Sequence, residues 1–372
     1  MQRLRNCVRP DDFIARFGGD VFVILMTIKN QADLLEKIID RVEQAARIPY
    51  LVCGETRQVS LSAGICVGNT SEGSSDELLK NAEVAMNQAK LSGKNKSLFY
   101  ESEFENKLLR IHSILSALGI AEEKGEFTLV YQPQYNQRKE VVSCEALIRW
   151  NCLSLGMVSP QEFIPLAENK NKIQVIDHWV VSTAIRQIRS WIDDGVQPVR
   201  VFVNLSGKSL TEASFIQFIF DRMARANIPF DLLGIEITEH VLISENEELL
   251  DKLNRLQSEG VEIALDDFGT GYSSLSYLTR FPLDYIKIDK AFIANAPDNP
   301  RDAAITRAIF ALASSLDMKV VCEGVEYEKH LSFIEQENAD GLLQGYLLSR
   351  PVSADEIGVI LKSSQEHGPE SQ

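Results

Sequence analysis

The chain has 372 residues, enough for two domains and at least one large core. Its 45% hydrophobic and 24% charged content belongs to an ordinary globular protein. A formal charge of −15, from 38 basic and 53 acidic residues, disfavours nucleic acid as a partner, although acids that hold divalent cations can still act on a phosphate ester.

The first predicted elements surround RFGGDVF (16–22), where two glycines and an acid lead into the strand-like run VFVIL (21–25). ADLLEKIIDRVEQAA (32–46) has apolar residues at helical spacing. QVSLSAGICVG (58–68) reads as a second strand, and Ser75 to Leu91 as a helix ending at Gly93. Two strands and two helices are thin for an independent α/β domain, here residues 1–100. A polar, helix-compatible linker spans 101–120 and contains ESEFENKLLRIHSILSAL (101–118).

From Phe127 the pattern becomes regular, and residues 121–362 read as a second domain. The strand candidates are VVSCEALI (141–148), VRVFVNLS (199–206), LLGIEITE (232–239), VEIALDDFG (261–269), LDYIKID (283–289), KVVCEGVE (319–326) and GLLQGYLLS (341–349). Amphipathic helical segments separate them, which predicts a mostly parallel sheet, closed or open. The last ten residues, SSQEHGPESQ (363–372), read as disordered. The cysteines at 7, 53, 66, 144, 152 and 322 show no CxxC and no zinc-like spacing, as in reduced cytosolic thiols. No signal-peptide core and no run of roughly 18 apolar residues is present. The expected location is the cytoplasm, with no membrane contact by this segment, although a longer parent could be membrane-tethered.

The chemistry collects at the strand ends. Glu145, Asn204, Glu236, Asp266 with Asp267, Glu323 and Gln344 stand at or near them, joined by Lys287 and Asp289. In a β/α barrel such ends meet at one face, where active sites lie. All the candidate ligands are oxygen donors, which suits Mg²⁺ or Mn²⁺ better than zinc or copper. The pair Asp266–Asp267 could bridge two ions, and Lys287 could orient a water or neutralise charge developing on a phosphate. Taken singly, each has another reading. Asp267 could begin a turn at Gly269 and Gly271, Asn204 and Ser206 could cap a helix, and Lys287 and Asp289 alternate like solvent-facing residues. Gln344 could be an ordinary polar residue, and Cys322 a small buried one.

YQP (131–133), EALIRW (145–150), GMVSPQEFIPLAE (156–168), NLS (204–206), EITE (236–239), DDFGTGYSSLSYL (266–278), KID (287–289), EGVE (323–326) and QGYLLSRP (344–351) together resemble the EAL domain of cyclic-di-GMP phosphodiesterases. The resemblance covers about 127–362 and implies an α/β fold, a (β/α)8-like barrel of TIM-barrel type. It implies a first metal at Glu145, Asn204, Glu236 and Asp266, and a second at Asp266 and Asp267. Lys287 would position the hydrolytic water, with Glu323, Glu326 and Gln344 around metal, water and substrate. Arg149 would contact a substrate phosphate, with Asp289 and Gln344 also on the substrate side. The loop of Phe268, Gly269, Thr270 and Gly271, anchored through Glu239, would link metal binding to contacts of a homodimer. The implied activity is two-metal-assisted hydrolysis of cyclic-di-GMP to pGpG; the alternative is a catalytically silent cyclic-di-GMP receptor. The family's His-Pro after the tryptophan is replaced by NCLSLG (151–156), which changes Cys152 and Leu153 and leaves every proposed ligand in place.

RFGGDVF, SAGICVG (62–68) and NAEVAMNQAKLSGKNKSLFY (81–100) resemble the C-terminal half of a GGDEF diguanylate cyclase domain, of nucleotidyl-cyclase-like fold. Asp20 is kept, but Val21 stands where the family has a glutamate, and a valine can neither ligate a metal nor accept a proton. The resemblance therefore implies a degenerate, non-cyclase remnant with a regulatory role. Arg9 and Asp12 have the spacing of that family's inhibitory cyclic-di-GMP site; otherwise they are a charged pair beside Pro10 at a turn.

Overall fold

The computed structural model describes residues 1–27, 32–68, 74–242, 247–269, 275–337 and 340–366. It comprises two compact units, Met1–Ser113 and Ile114–Gln372. The division falls inside helix Ser102–Leu118, so most of the expected linker is helical.

In the first unit, β1 (Phe13–Gly18) and β2 (Val21–Leu25) form an antiparallel hairpin. Gly19 and Asp20 make its two-residue turn, and Gly19 takes the positive φ (52°) that such tight turns require. β3 (Tyr50–Val52) and β4 (Glu55–Arg57) form a second hairpin, whereas β5 (Ala63–Ile65) pairs in parallel with β6 (Ser97–Phe99). The sequence pattern predicts two strands here, and the described residues form six short ones. The expected strand 58–68 is reduced to three residues. Gly64 explains the close packing there, because a Cβ on it would fall 2.0 Å from the Ala82 carbonyl oxygen of helix Ser75–Leu91. That helix begins as predicted, with Ser74 Oγ accepting the Glu77 N–H. The buried core is small, centred on Cys7, Ile38 and Val42, while Phe13, Phe17 and Leu25 are exposed.

The second unit is a closed barrel. Its strands are β7 (Phe127–Tyr135), β8 (Val141–Cys152), β9 (Gly156–Val158), β10 (Arg200–Asn204), β11 (Leu233–Thr238), β12 (Glu262–Phe268), β13 (Tyr285–Ile288), β14 (Lys319–Cys322) and β15 (Leu342–Leu343). The ladder runs β8-β10-β11-β12-β13-β14-β15-β7 and closes on β8, giving eight barrel strands. Seven run parallel, and β7 is antiparallel to both of its neighbours. The barrel thus starts on a hairpin, whose turn is set by Lys139 at φ 62° and by the Asn136 N–H bonded to Glu140 O. β9 folds back antiparallel on the far end of β8.

Strand alternation splits the side chains between two cores. Val201, Val203, Ile235 and Ile237 join the large core that also contains residues of the surrounding helices. Phe202, Ala264, Tyr285 and Val321 form a separate cluster with Leu342. These share a strand face with Asn204, Asp266, Lys287, Glu323 and Gln344, two residues further along each strand. They make an apolar layer beneath the polar strand ends. Gly234 leaves room for it, since a Cβ there would come within 2.3 Å of the Phe202 ring. The last helix, Ala354–Glu366, continues through residues 363–366, which the composition places in a disordered tail. The helix is anchored further back, where Ile357 and Leu361 are buried. The remaining tail residues, 367–372, lie outside the described residues.

Candidate active site

Lys287, 1% exposed, sits among the carboxylates of four other strands. Its Nζ lies 2.6 Å from Glu236 Oε2, 2.7 Å from Glu323 Oε1, 3.2 Å from Glu145 Oε2 and 3.3 Å from Asp266 Oδ1. The solvent-facing reading of Lys287 is therefore wrong. Its side of β13 faces the barrel interior, and burial is sustained by the four counter-charges.

Glu145 is fixed from three sides. Asn204 Nδ2 donates to Oε1 at 2.7 Å, and Gln344 Nε2 donates to Oε2 at 2.7 Å, beside Lys287. Asn204 is thus a partner of Glu145 and not a helix cap. Ser206 supplies the cap, its Oγ accepting the N–H of Ser209 at the start of helix Gly207–Thr211. Behind it, the buried Asp177 Oδ2 accepts the Ser206 N–H at 3.1 Å and the hydroxyls of Ser206 and Ser209 at 2.6 Å each.

A bulge positions the adjacent aspartates. On β12, Leu265 pairs with Ile286 and Phe268 with Ile288, so one extra residue is accommodated between them. Asp267 absorbs it at φ 56°, a left-handed conformation that Asp tolerates better than most residues. Consecutive strand residues would otherwise point to opposite faces. Burial, the Asp266 charge and the Asp289 charge all push the Asp267 carboxyl above its ordinary range.

The electrostatics show an excess of negative groups. Burial and repulsion from Glu145 hold Glu236 well above the ordinary carboxylate range, and burial pushes Glu323 up to about 7. Burial works against ionised Glu145, but the Lys287 charge and the bonds from Gln344 and Asn204 outweigh it and lower the group. Burial likewise opposes the Lys287 ammonium, and the charges of Asp266, Glu145, Glu236 and Glu323 overcome it, raising the group well above its usual value. One ammonium does not balance four carboxylates. Glu236 Oε1 is also buried, with no hydrogen-bond partner among the described residues.

An all-oxygen donor set with an unpartnered carboxylate oxygen fits a hard divalent cation. Among the described residues, no three His, Cys, Asp or Glu side chains stand as a ready-made cage. Lys287 holds the space between the acids.

Other expected residues stand apart from this cluster. Arg149 lies on the same face of β8 as Glu145, with its guanidinium donating to the Ile148 carbonyl at 2.9 Å. Asp289 caps helix Lys290–Asn295 by accepting the Ala291 N–H at 2.8 Å. Glu326 is exposed, and its backbone N–H donates to His330 Nδ1. Glu239 is buried at the start of helix Glu239–Leu242, Phe268 is buried, and Gly269 has φ 94°. Thr270 and Gly271 lie outside the described residues. In the first unit, Asp12 Oδ2 accepts the Arg9 backbone N–H at 2.7 Å and the Asp12 N–H donates to Arg9 O at 3.1 Å, which closes a turn. Asp20 is exposed at its hairpin tip.

Motif reading gives no role to Gln132, Gln134 or Ser143, all buried near Glu145. The signal for them is a period of two in VYQPQY and VVSCE, which puts Gln132 with Gln134 on one face of their strand and Ser143 with Glu145 on one face of theirs; the register of β7 on β8 makes these the same face of the sheet.

The EAL domain family model matches residues 114–351, and the family model described as diguanylate cyclase, GGDEF domain, matches residues 1–96. The chain is 36% identical over 360 residues to the bifunctional diguanylate cyclase/cyclic di-GMP phosphodiesterase MucR of Pseudomonas aeruginosa, covering 96% of this chain and 52% of that protein. It is 32% identical over 349 residues to the cyclic di-GMP phosphodiesterase PdeR of Escherichia coli, covering 94% and 52%. The chain thus spans about half the length of these relatives. Among solved structures, the PaMucR phosphodiesterase in complex with c-di-GMP superposes with a TM-score of 0.62 at 37% identity, over 66% of this chain and 99% of that one.

Proposed function

The chain belongs to the EAL domain family and carries a GGDEF-type segment ahead of that domain, and on this premise we propose that it hydrolyses cyclic-di-GMP to linear pGpG. The observation that carries the reading is Lys287 ringed by Glu145, Glu236, Asp266 and Glu323 at the barrel's strand ends. Four acids from different strands around one buried cation are costly to assemble for stability alone. The same groups suit the stabilisation of charge on a phosphate in flight.

Two divalent cations, Mg²⁺ or Mn²⁺, would supply Lewis acidity for the attacking water and the departing oxygen. Glu145, Asn204, Glu236 and Asp266 would hold one of them, and Asp266 with Asp267 the other. Lys287 donates N–H bonds to the attacking water and spreads positive charge toward the phosphate. Glu145 is kept from rotating by Asn204 and Gln344. Arg149, further out on the same face of β8, takes a phosphate oxygen of the substrate once its guanidinium leaves the Ile148 carbonyl. Gln344 and Asp289 line the substrate side, and Glu323 and Glu326 complete the acidic rim. The apolar layer of Phe202, Ala264, Tyr285 and Val321 keeps water from entering beneath the reacting groups.

The first unit makes no cyclic-di-GMP in this reading, because Val21 offers no oxygen donor beside Asp20. Its role is regulatory, with Arg9 and Asp12 as the site to probe. The working form is a cytoplasmic homodimer through the EAL barrel. Among the described residues, no helix is long and apolar enough to cross a membrane.

The test is hydrolysis of cyclic-di-GMP with Mg²⁺ or Mn²⁺ by the wild type and by Glu145→Ala. Linear product from the wild type alone is expected. Tight ligand binding by a wild type that never cleaves would replace the enzyme with a receptor.

A further inference from the structure

Three hydrogen bonds run in series through Gln134, a residue with no exposed surface. Ser143 Oγ donates to Gln134 Oε1 at 2.6 Å. Gln134 Nε2 donates to Gln344 Oε1 at 2.9 Å. Gln344 Nε2 then donates to Glu145 Oε2 at 2.7 Å and to Gln132 Oε1 at 3.2 Å. The antiparallel register of β7 and β8 builds this series, placing Gln134 opposite Ser143 and Gln132 opposite Glu145.

The chemistry at one end fixes the direction of every bond. An ionised carboxylate can only accept, so Gln344 must offer Glu145 its NH₂ group. Its carbonyl oxygen then faces Gln134 and needs a donor there. Gln134 must in turn present NH₂ to Gln344, leaving its own oxygen for Ser143, whose hydroxyl can donate. Reversing any amide sets an oxygen against an oxygen at a buried position, where no water is at hand to relieve it.

We infer that Gln134, with Ser143 behind it, is a positioning residue that holds the Gln344 amide in the orientation that donates to Glu145, and so sets the Glu145 carboxylate for its metal. This rests on the proposed role of Glu145 as a ligand. Apolar Leu at 134 would fill similar space but leave the Gln344 oxygen without its donor and the amide free to turn.

The experiment is a double-mutant cycle on the full chain with Gln134→Leu, Gln344→Met and both together. It reads the Mn²⁺ dissociation constant by calorimetry, alongside kcat and KM for cyclic-di-GMP. Gln134→Leu is expected to weaken Mn²⁺ binding about tenfold, as loss of an outer partner of a ligand does, and to lower kcat more than it raises KM. In the Gln344→Met background the same change should alter Mn²⁺ affinity by less than about twofold, because the residue it acts through is gone. Equal effects in both backgrounds, or unaltered Mn²⁺ affinity in a folded Gln134→Leu protein, would overturn the inference. If Gln134→Leu does not fold, Ser143→Ala replaces it in the same cycle, with the same outcomes deciding. A wild type that binds Mn²⁺ without turning over substrate sinks the proposed activity and leaves the affinity cycle to decide the relay. A wild type that binds no Mn²⁺ overturns the relay's purpose.

Discussion

Lys287 Nζ and Glu236 Oε2 stand 2.6 Å apart with both side chains at most 1% exposed, and the other oxygen of the same carboxylate, Glu236 Oε1, is buried without a hydrogen-bond partner among the described residues. Lys287 has four carboxylates around its ammonium, whereas only one of the two Glu236 oxygens has a hydrogen-bond partner among the described residues. A structural ion pair would balance both partners. This one leaves a carboxylate oxygen without a donor among the described residues, in a site with more acids than cations.

Replacing Lys287 with Met should hurt folding and catalysis together. The four carboxylates would lose the cation they share, and breaking a buried pair by removing one partner costs about 3 kcal/mol or more. Urea unfolding in the presence of chelator should show that loss, and turnover should fall at least about a hundredfold. Unchanged stability in chelator would mean that the acids do not depend on the lysine.

Metal removal should separate fold from activity. Hydrolysis should stop in EDTA and return on adding Mn²⁺ or Mg²⁺, while far-ultraviolet circular dichroism stays constant. Because a ligand that binds only the folded state stabilises it, excess Mn²⁺ should also raise the melting temperature. Turnover that persists in chelator would contradict the assignment of Glu145, Asn204, Glu236, Asp266 and Asp267.

Gly234→Ala tests the apolar layer under the site. The added Cβ would meet the Phe202 ring at 2.3 Å in a closed barrel with little room to yield. Overpacking of this kind should cost about 2 kcal/mol in denaturant unfolding. Phe202→Leu in the same chain should recover part of it. A fully stable Gly234→Ala protein would show that the ring can move aside freely.

Asp177 should make stability depend on pH. Burial pushes its carboxyl from the ordinary 3.8 up to about 6, against the hydrogen bonds from Ser206 and Ser209. The folded state therefore holds this proton more tightly than the unfolded chain does. The contribution is complete below pH 3.8 and is lost as pH rises through about 6. The wild type should gain stability relative to Asp177→Asn between pH 7 and pH 5, as measured by unfolding at each pH. Parallel profiles for the two proteins would count against a buried, titrating Asp177.

Much of the site is legible because it obeys local rules. Acids and amides at the ends of alternating apolar strands point to one face of a β/α barrel, and Glu145, Asn204, Glu236, Asp266, Glu323 and Gln344 are found there. The end of helix Ser75–Leu91 is legible through Gly93, which takes φ 112° just beyond it. The antiparallel entry of β7 is not legible, since pairing direction depends on a turn and on which strand edge is open.

The sequence alone determined which residues lie together on each strand face, because side-chain alternation is a property of the backbone. It could not determine whether a face meets water or the inside of a closed sheet. Lys287 reads as exposed on its strand by pattern, and closure of the barrel makes it 1% exposed. Only the tertiary structure brings Gln134 against Gln344, residues 210 positions apart, so that a serine hydroxyl and two amides fix the direction of one carboxylate. Distances of that kind belong to the closed ladder, in which hydrogen bonding and packing settle every strand's register at once.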